Sequence, residues 1–254
     1  MLLSSLSTMQ ANFIAHRLGR AYGPDSSATA LAESIAGPLA GLETDLVLTA
    51  DGELVLLHDP LLALGTTLEG WAHQRTAAEI TAGRLRDRAG EPTGERPLVL
   101  SELLEAAPLG LTLQLEVKAH ADAGLARRTT EAICAQVRAS GAVDRVELIS
   151  FYSDACALAV VRGLRSRLIV WADYEPEALA GWAARNGVVG VSIEHFLLSE
   201  RLVGALRAGG LSVNTGTVND AEVLERVLAF GPDAVVTDRP HELRAEAASQ
   251  AALL

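Results

Sequence analysis

The sequence predicts an α/β protein built as a closed (β/α)8 TIM barrel. Three observations predict it. Eight apolar runs of strand length alternate with segments of helical period, which implies right-handed crossovers and a parallel sheet. The chain has 254 residues, the size at which eight such units close on themselves. No Gly-rich phosphate fingerprint follows any of the strands, which sets aside the open doubly wound sheet.

In chain order, residues 13–17 form the first strand, which closes on His16-Arg17. After a loop with Gly19, Gly23 and Pro24, Asp25-Ser26-Ser27 offers N-cap oxygens to a helix that runs to Ile35 and stops at Gly37-Pro38. The second strand carries Glu43 and Asp45. Asp51-Gly52 is a tight turn, and Leu54 to Leu57 brings the chain back to His58-Asp59-Pro60. Residues 61–97 are rich in Gly, Thr, Arg and Pro and have no strong period. The stretch from about residue 49 to 100 is therefore read as a β-hairpin and a short excursion over the C-terminal mouth. Within it, Thr76-Ala-Ala-Glu79 is a capping box for one short helix, and another helix begins at Ser101. The remaining strands are expected at 111–118, 146–151, 168–172, 188–194, 211–215 and 234–237. Helices are expected at 125–140, 154–164, 176–186, 199–208, 220–230 and from 242 onward.

Residues 1–12 carry no Lys or Arg and develop no long apolar core, so they read as a disordered lead and not as a signal peptide. Residues 13–254 read as a single domain, because neither a linker nor an internal repeat divides them. Lys and Arg total 21 against 32 Asp and Glu, a net charge of −11, which provides no electrostatic footprint for nucleic acid and disfavours anionic membranes. No window reaches the roughly 20 apolar residues of a spanning helix, so no stable membrane insertion is expected. Cys134 and Cys156 lack metal spacing and read as small buried hydrophobes. A cytoplasmic location is expected.

Chemistry in such a barrel sits at the C-terminal ends of the strands. Glu43 and Asp45 are two apart on a strand, so both project to one face. Two buried carboxylates there are costly unless a positive charge compensates them, and a hard divalent ion is the simplest candidate. Glu116 and Lys118 repeat the spacing on the third parallel strand. As an isolated pair they would be an ordinary ion pair on a strand end; beside Glu43 and Asp45, Glu116 adds a third oxygen donor for Mg²⁺ or Ca²⁺. A lone strand histidine is most often a satisfied core residue. Here His16 and His58 flank an acid cluster within the first sixty residues, which suits an acid and a base on opposite sides of a reacting group. Arg17 and Lys118 complement an anion such as phosphate. His195 is a weaker pocket candidate; His73, His120 and His241 read as surface or structural.

These residues fall in a recognisable order: Ile14-Ala-His-Arg17, Glu43-Thr-Asp45, Thr49-Ala-Asp-Gly52, His58-Asp59, Glu116-Val-Lys118, Ile149-Ser-Phe151, Thr217-Val-Asn219 and Thr237-Asp-Arg-Pro240. The ordered set resembles the glycerophosphodiester phosphodiesterases over nearly the whole chain. The resemblance implies a divalent metal, Mg²⁺ or Ca²⁺, held by Glu43, Asp45 and Glu116. It also implies acid/base roles for His16 and His58, and contacts from Arg17 and Lys118 to the phosphate or the metal shell. The implied reaction is hydrolysis of a small-molecule glycerophosphodiester to an alcohol and glycerol 3-phosphate. Two alternatives stand beside it. One is a lysophospholipase D or phospholipase C type cleavage on the same barrel; the other is a non-catalytic barrel that binds phosphate or metal.

Three positions depart from the family pattern. Leu18 stands where the family usually has Gly, and Gly23-Pro-Asp-Ser-Ser27 stands near its Pro-Glu-Asn-Thr segment. Gly216 replaces a Trp that commonly precedes Thr-Val-Asn. The last bears on the pocket wall, which either widens or is filled by another side chain such as Trp171 or Phe196.

Overall fold

The computed structural model describes residues 11–252. Most of the expected lead lies outside the described residues. Within them, Asn12 donates its side-chain amide to the Asp233 carbonyl at 3.0 Å. The core is one nine-stranded sheet. Its strands are β1 Phe13–Ala15, β2 Gly41–Leu48, β3 Leu54–Leu56, β4 Thr112–Val117, β5 Val146–Ser150, β6 Arg165–Val170, β7 Gly190–Glu194, β8 Ser212–Gly216 and β9 Ala234–Thr237. β1 pairs in parallel with both β2 and β9, so eight parallel strands close a ring, and β3 lies outside it, antiparallel to β2. The expected (β/α)8 barrel is the observed one.

The hairpin and excursion are built by local chemistry. Gly52 takes a positive φ of 85° at the turn, a conformation glycine adopts without a Cβ clash. Thr76 and Glu79 make the capping box of the helix Ala77–Thr81. Asp51 ties that helix to the turn by accepting the Ala77 N–H at 3.0 Å. Val47, Val55, Leu57, Leu62, Ile80 and Leu85 form a small apolar core beneath this segment, which fixes it against the outer face of β2 and β3.

Two expected elements differ from the observed ones. The first strand, expected through Arg17, ends at Ala15, because Arg17 (φ 49°) and Leu18 (φ 61°) turn left-handed. The strand expected at 168–172 is β6, Arg165–Val170. Its first three residues are polar and escape a search for apolar runs, yet Ser166 and Arg167 are buried. Inside the barrel, below the mouth, Arg167 Nε lies 3.3 Å from Glu147 Oε2. Its other nitrogens bond the Val191 carbonyl at 3.0 Å and the Ser212 hydroxyl at 3.0 Å. Gln114 donates to the same Glu147 oxygen at 3.0 Å. Cys134 and Cys156 are buried free thiols, and among the described residues no helix is long and apolar enough to cross a membrane.

A buried ion pair costs most when half of it is removed, because the remaining charge is stranded without water. Arg167→Met is therefore expected to lower unfolding stability by about 3–5 kcal/mol in denaturant titrations, and adding Glu147→Leu should recover most of that loss. If the single variant is as stable as the parent, the floor network has no structural weight.

Candidate active site

The β2–β4 register aligns Glu43 with Gln114 and Asp45 with Glu116. Because alternate residues share a face, all four project into the barrel, and Glu43, Asp45 and Glu116 bring carboxylate oxygens within 4.8 Å of one another. All three side chains are buried. The compensating charges come from the same rim. Lys118 Nζ sits 3.0 Å from Asp45 Oδ1 and touches Glu116 Oε1. Arg17 donates its backbone N–H to Glu43 Oε2 at 2.8 Å and holds Nε 3.5 Å from Asp45 Oδ2.

Three negative charges face two positive ones, and the imbalance is visible atom by atom. Lys118 engages Glu116 Oε1 and Arg17 Nε lies near Asp45 Oδ2, but Glu43 Oε1 is buried with neither a hydrogen bond nor an ion pair among the described residues. Buried polar atoms are almost always satisfied, so an unpaired Glu43 oxygen beside two further carboxylates within 4.8 Å is a donor set suited to a hard divalent cation. Burial pushes Glu43 well above the ordinary carboxylate range, and its neighbours Asp45 and Glu116 push it further. Burial likewise raises Glu116 to about 7, against the pull of Lys118. Asp45 is also driven upward by burial, but Lys118 and Arg17 outweigh that and hold it at about 2. It is the anchored anion of the group.

The hairpin delivers the second histidine. Leu57 donates its N–H to the Asp45 carbonyl at 3.1 Å, which sets His58 beside the acids with Nδ1 3.1 Å from Asp59 Oδ2. His16 follows β1, whose partner β9 brings Ala15 level with Thr237. Asp238 is therefore adjacent, and its Oδ1 lies 2.7 Å from His16 Nδ1. Asp238 is held below its usual pKa; burial opposes this, but the His16 and Asn219 hydrogen bonds prevail. An ionised Asp238 only accepts, so Nδ1 carries the proton and Nε2 faces the acid cluster, 4.0 Å from Glu43 Oε2. Asn219 clamps Asp238 by donating to Oδ2 at 2.8 Å and accepting the Asp238 N–H at 2.9 Å. Neither Asp238 nor Asn219 was singled out as a site residue by sequence reasoning. The available signal was their place in the Thr-Val-Asn and Thr-Asp-x-Pro segments at the ends of the last two strands.

All seven residues expected at the site line one pocket of about 230 Å³. Its walls differ in kind. β1, β2, β4 and the hairpin supply charges; β5, β6, β7 and β9 supply Ile149, Phe151, Ile169, Ile193 and Val236. Glu194 lines it and His195 does not; His195 instead packs edge-on against Phe196, centroids 5.6 Å apart. Neither Trp171 nor Phe196 fills the place left by Gly216. A Cβ on Gly216 would come within 2.7 Å of the Val236 Cβ, so Val236 occupies the space next to the glycine. Of the other two departures, the segment Gly23 to Ser27 supports Arg17. Asp25 pairs with Arg17 at 2.5 Å and with Arg20 at 2.9 Å. Ser26 bonds Thr44 at 2.8 Å, and Ser27 caps the helix Ala28–Ile35. Leu18 tolerates a left-handed backbone because its side chain is fully buried, which offsets a strain of about 1–2 kcal/mol. His241 stacks on Tyr22 and contacts the Glu33 and Ser34 carbonyls, a structural position.

A sequence profile described as the Glycerophosphoryl diester phosphodiesterase family matches residues 16–242. The chain belongs to that family. It is thereby an enzyme of a hydrolase family that cleaves glycerophosphodiesters. Among curated relatives, a glycerophosphodiester phosphodiesterase of Caldanaerobacter subterraneus is 26% identical over 239 residues, covering 92% of this chain and 97% of that one. Among solved structures, a putative glycerophosphoryl diester phosphodiesterase from Silicibacter pomeroyi superposes with a TM-score of 0.83 at 23% identity, covering 97% and 98% of the two chains. An Oleispira antarctica phosphodiesterase in complex with the product sn-glycerol-3-phosphate superposes at 0.81 with 22% identity, covering 92% and 95%. The last two likenesses concern the phosphodiesterase fold.

The raised acids make a pH prediction for the metal-free protein. Glu116 in the folded state, at about 7, binds its proton more tightly than the ordinary 4.5 of an unfolded chain, and Glu43 departs in the same direction. The folded state thus holds more protons, and stability should fall as pH rises from 4.5 through 7. Asp45 has the opposite sign, but its window lies between about 2 and 3.8. Thermal unfolding in EDTA across this range should show the decline. Glu116→Gln should flatten it, and divalent cation should oppose it by competing with the protons. A melting temperature that rises with pH in EDTA and is unaffected by Glu116→Gln contradicts this account.

Proposed function

We propose that the protein hydrolyses small-molecule glycerophosphodiesters to an alcohol and glycerol 3-phosphate, using His16 and His58 for proton transfer and a divalent cation, Mg²⁺ or Ca²⁺, held by Glu43, Asp45 and Glu116. The observation that carries the reading is one pocket in which two imidazoles, each anchored through Nδ1 by a carboxylate, flank three clustered carboxylates and two cations. The family relationship supports it, as does the product named for the Oleispira enzyme. When bound, the cation would neutralise charge on a non-bridging phosphate oxygen.

Arg17 and Lys118 orient the phosphate, the first through its planar fork and the second as a point charge. One imidazole removes the proton of the attacking hydroxyl, and the other protonates the departing alkoxide. Water thereby adds across one P–O bond with no net proton change at the pair. Asp238 and Asp59 fix the ring tautomers, and Asn219 keeps Asp238 aimed at His16. The apolar wall limits water on the side away from the charges. Residues 13–254 act as one catalytic domain. A cytoplasmic setting belongs to the same reading.

The direct test is release of glycerol 3-phosphate from glycerophosphocholine and glycerophosphoethanolamine with Mg²⁺, Ca²⁺ or EDTA. Release should need the cation, be abolished by Glu43→Ala, and fall about 10²- to 10⁴-fold in His16→Ala. Metal-loaded, folded protein that releases nothing from either substrate refutes the proposal. A second test isolates Asp238. In Asp238→Asn the side-chain amide can donate to His16 Nδ1 and select the wrong tautomer. The expected result is a kcat loss of about 10- to 100-fold with KM and melting temperature little changed; equal losses in kcat and stability would mark Asp238 as merely structural.

A further inference from the structure

One charged side chain of the pocket has no part in holding the acids, the histidines or the phosphate. It is Glu194, the last residue of β7. Among the described residues its carboxylate makes neither a hydrogen bond nor an ion pair, whereas Lys118 and Arg17 are engaged by acids and the two imidazoles by Asp238 and Asp59. The oxygens of Glu43, Asp45 and Glu116 gather within 4.8 Å without it. In the closed ring β7 is four strands from β2 either way, through β4, β5 and β6 or through β1, β9 and β8. Glu194 therefore faces the acid cluster from the opposite wall. That wall is mostly apolar, with Ile169, Ile193 and Val236. The register sets Glu194 level with Gly216, which has no side chain to cover the carboxylate or pair with it. Burial raises the Glu194 pKa, and the imidazoles of His195 and His16 pull it back.

We propose that Glu194 is a specificity-determining residue: it supplies the counter-charge for a cationic head group, so that the protein favours diesters whose departing alcohol ends in a quaternary ammonium. The proposal rests on the phosphodiesterase reading and deepens it. A phosphodiester held by Lys118 and Arg17 on the charged side directs one ester substituent across the pocket, toward β7. What meets it there is a single carboxylate set in apolar surface. A hydroxyl-rich head group suits this wall poorly, because its oxygens leave water for Ile169, Ile193 and Val236, which donate nothing. An anionic head group meets a like charge. A quaternary ammonium has no hydrogen bonds to lose. It needs one negative charge and apolar contact for its methyl groups, and this wall offers both. Gly216 keeps the carboxylate open to the pocket, since nothing projects from β8 at its level.

The test compares kcat/KM for glycerophosphocholine with that for its uncharged isostere, in which 3,3-dimethylbutanol replaces choline, in the parent, Glu194→Gln and Glu194→Lys. The two alkoxides differ in basicity, so the readout is the change in this ratio from protein to protein. The preference for the choline ester should fall about threefold to tenfold in Glu194→Gln, the size expected of a half-exposed charge pair, and further in Glu194→Lys. The loss should appear in KM more than in kcat. At constant ionic strength, choline should compete with the isostere in the parent and compete several-fold less well in Glu194→Gln. Melting temperatures report whether each variant is folded, and the near-isosteric Gln carries the test if the Lys variant is not. An unchanged ratio, or equal losses on both substrates, overturns the assignment of Glu194 and leaves the phosphodiesterase reading standing. A folded, metal-loaded parent that cleaves neither substrate overturns both.

Discussion

Three carboxylates gathered within 4.8 Å inside a barrel mouth are the constraint on which the rest of the site depends. Each is destabilised as an anion by burial and by its neighbours, and the surrounding residues answer that penalty. Lys118 rises from the same strand as Glu116 to reach both it and Asp45. Arg17 reaches the cluster with both backbone and side chain, which its left-handed turn permits. Asp25 then secures the far side of the Arg17 guanidinium. The compensation is incomplete, since Glu43 Oε1 is left without a partner among the described residues.

The two histidines are held in the same manner but by different parts of the chain. His58 depends on its immediate neighbour Asp59 and on a hairpin whose backbone is tied to Asp45. His16 depends on Asp238, which closes the barrel from the opposite end of the sequence and is itself clamped by Asn219. Barrel closure is therefore part of the catalytic geometry. The pairing of β1 with β9 aligns Asp238 with His16, as well as completing the sheet. The floor beneath is polar as well, since Glu147, Arg167 and Gln114 fill a layer that branched apolar side chains commonly occupy.

The pocket is divided by strand. Most of the charge comes from the first half of the barrel and most of the apolar surface from the second, where Glu194 on β7 is the charged exception. Lys118 lies 5.8 Å from the centre of the Phe151 ring, so the boundary between the two environments is narrow. A phosphodiester bound here would have its charged group and its carbon substituent in distinct surroundings.

Local periodicity alone determined the alternation of strands and helices, the capping box at Thr76, the hairpin at Asp51-Gly52, and the same-face pairs Glu43/Asp45 and Glu116/Lys118. Each of these follows from the period of a strand or from turn and cap chemistry within a few residues. The seven residues singled out from those patterns do meet in one pocket. Only the tertiary structure decided the remainder. It opposed Asp45 to Glu116 across β2 and β4, and it joined His16 to Asp238, 222 residues away. It buried Arg167 in a strand whose polar start looked like loop, and it gave the place beside Gly216 to Val236 instead of Trp171 or Phe196. These contacts depend on interstrand register and on the closure of the ring. Register is set by how all the strands fit together, and no local run of residues carries that information.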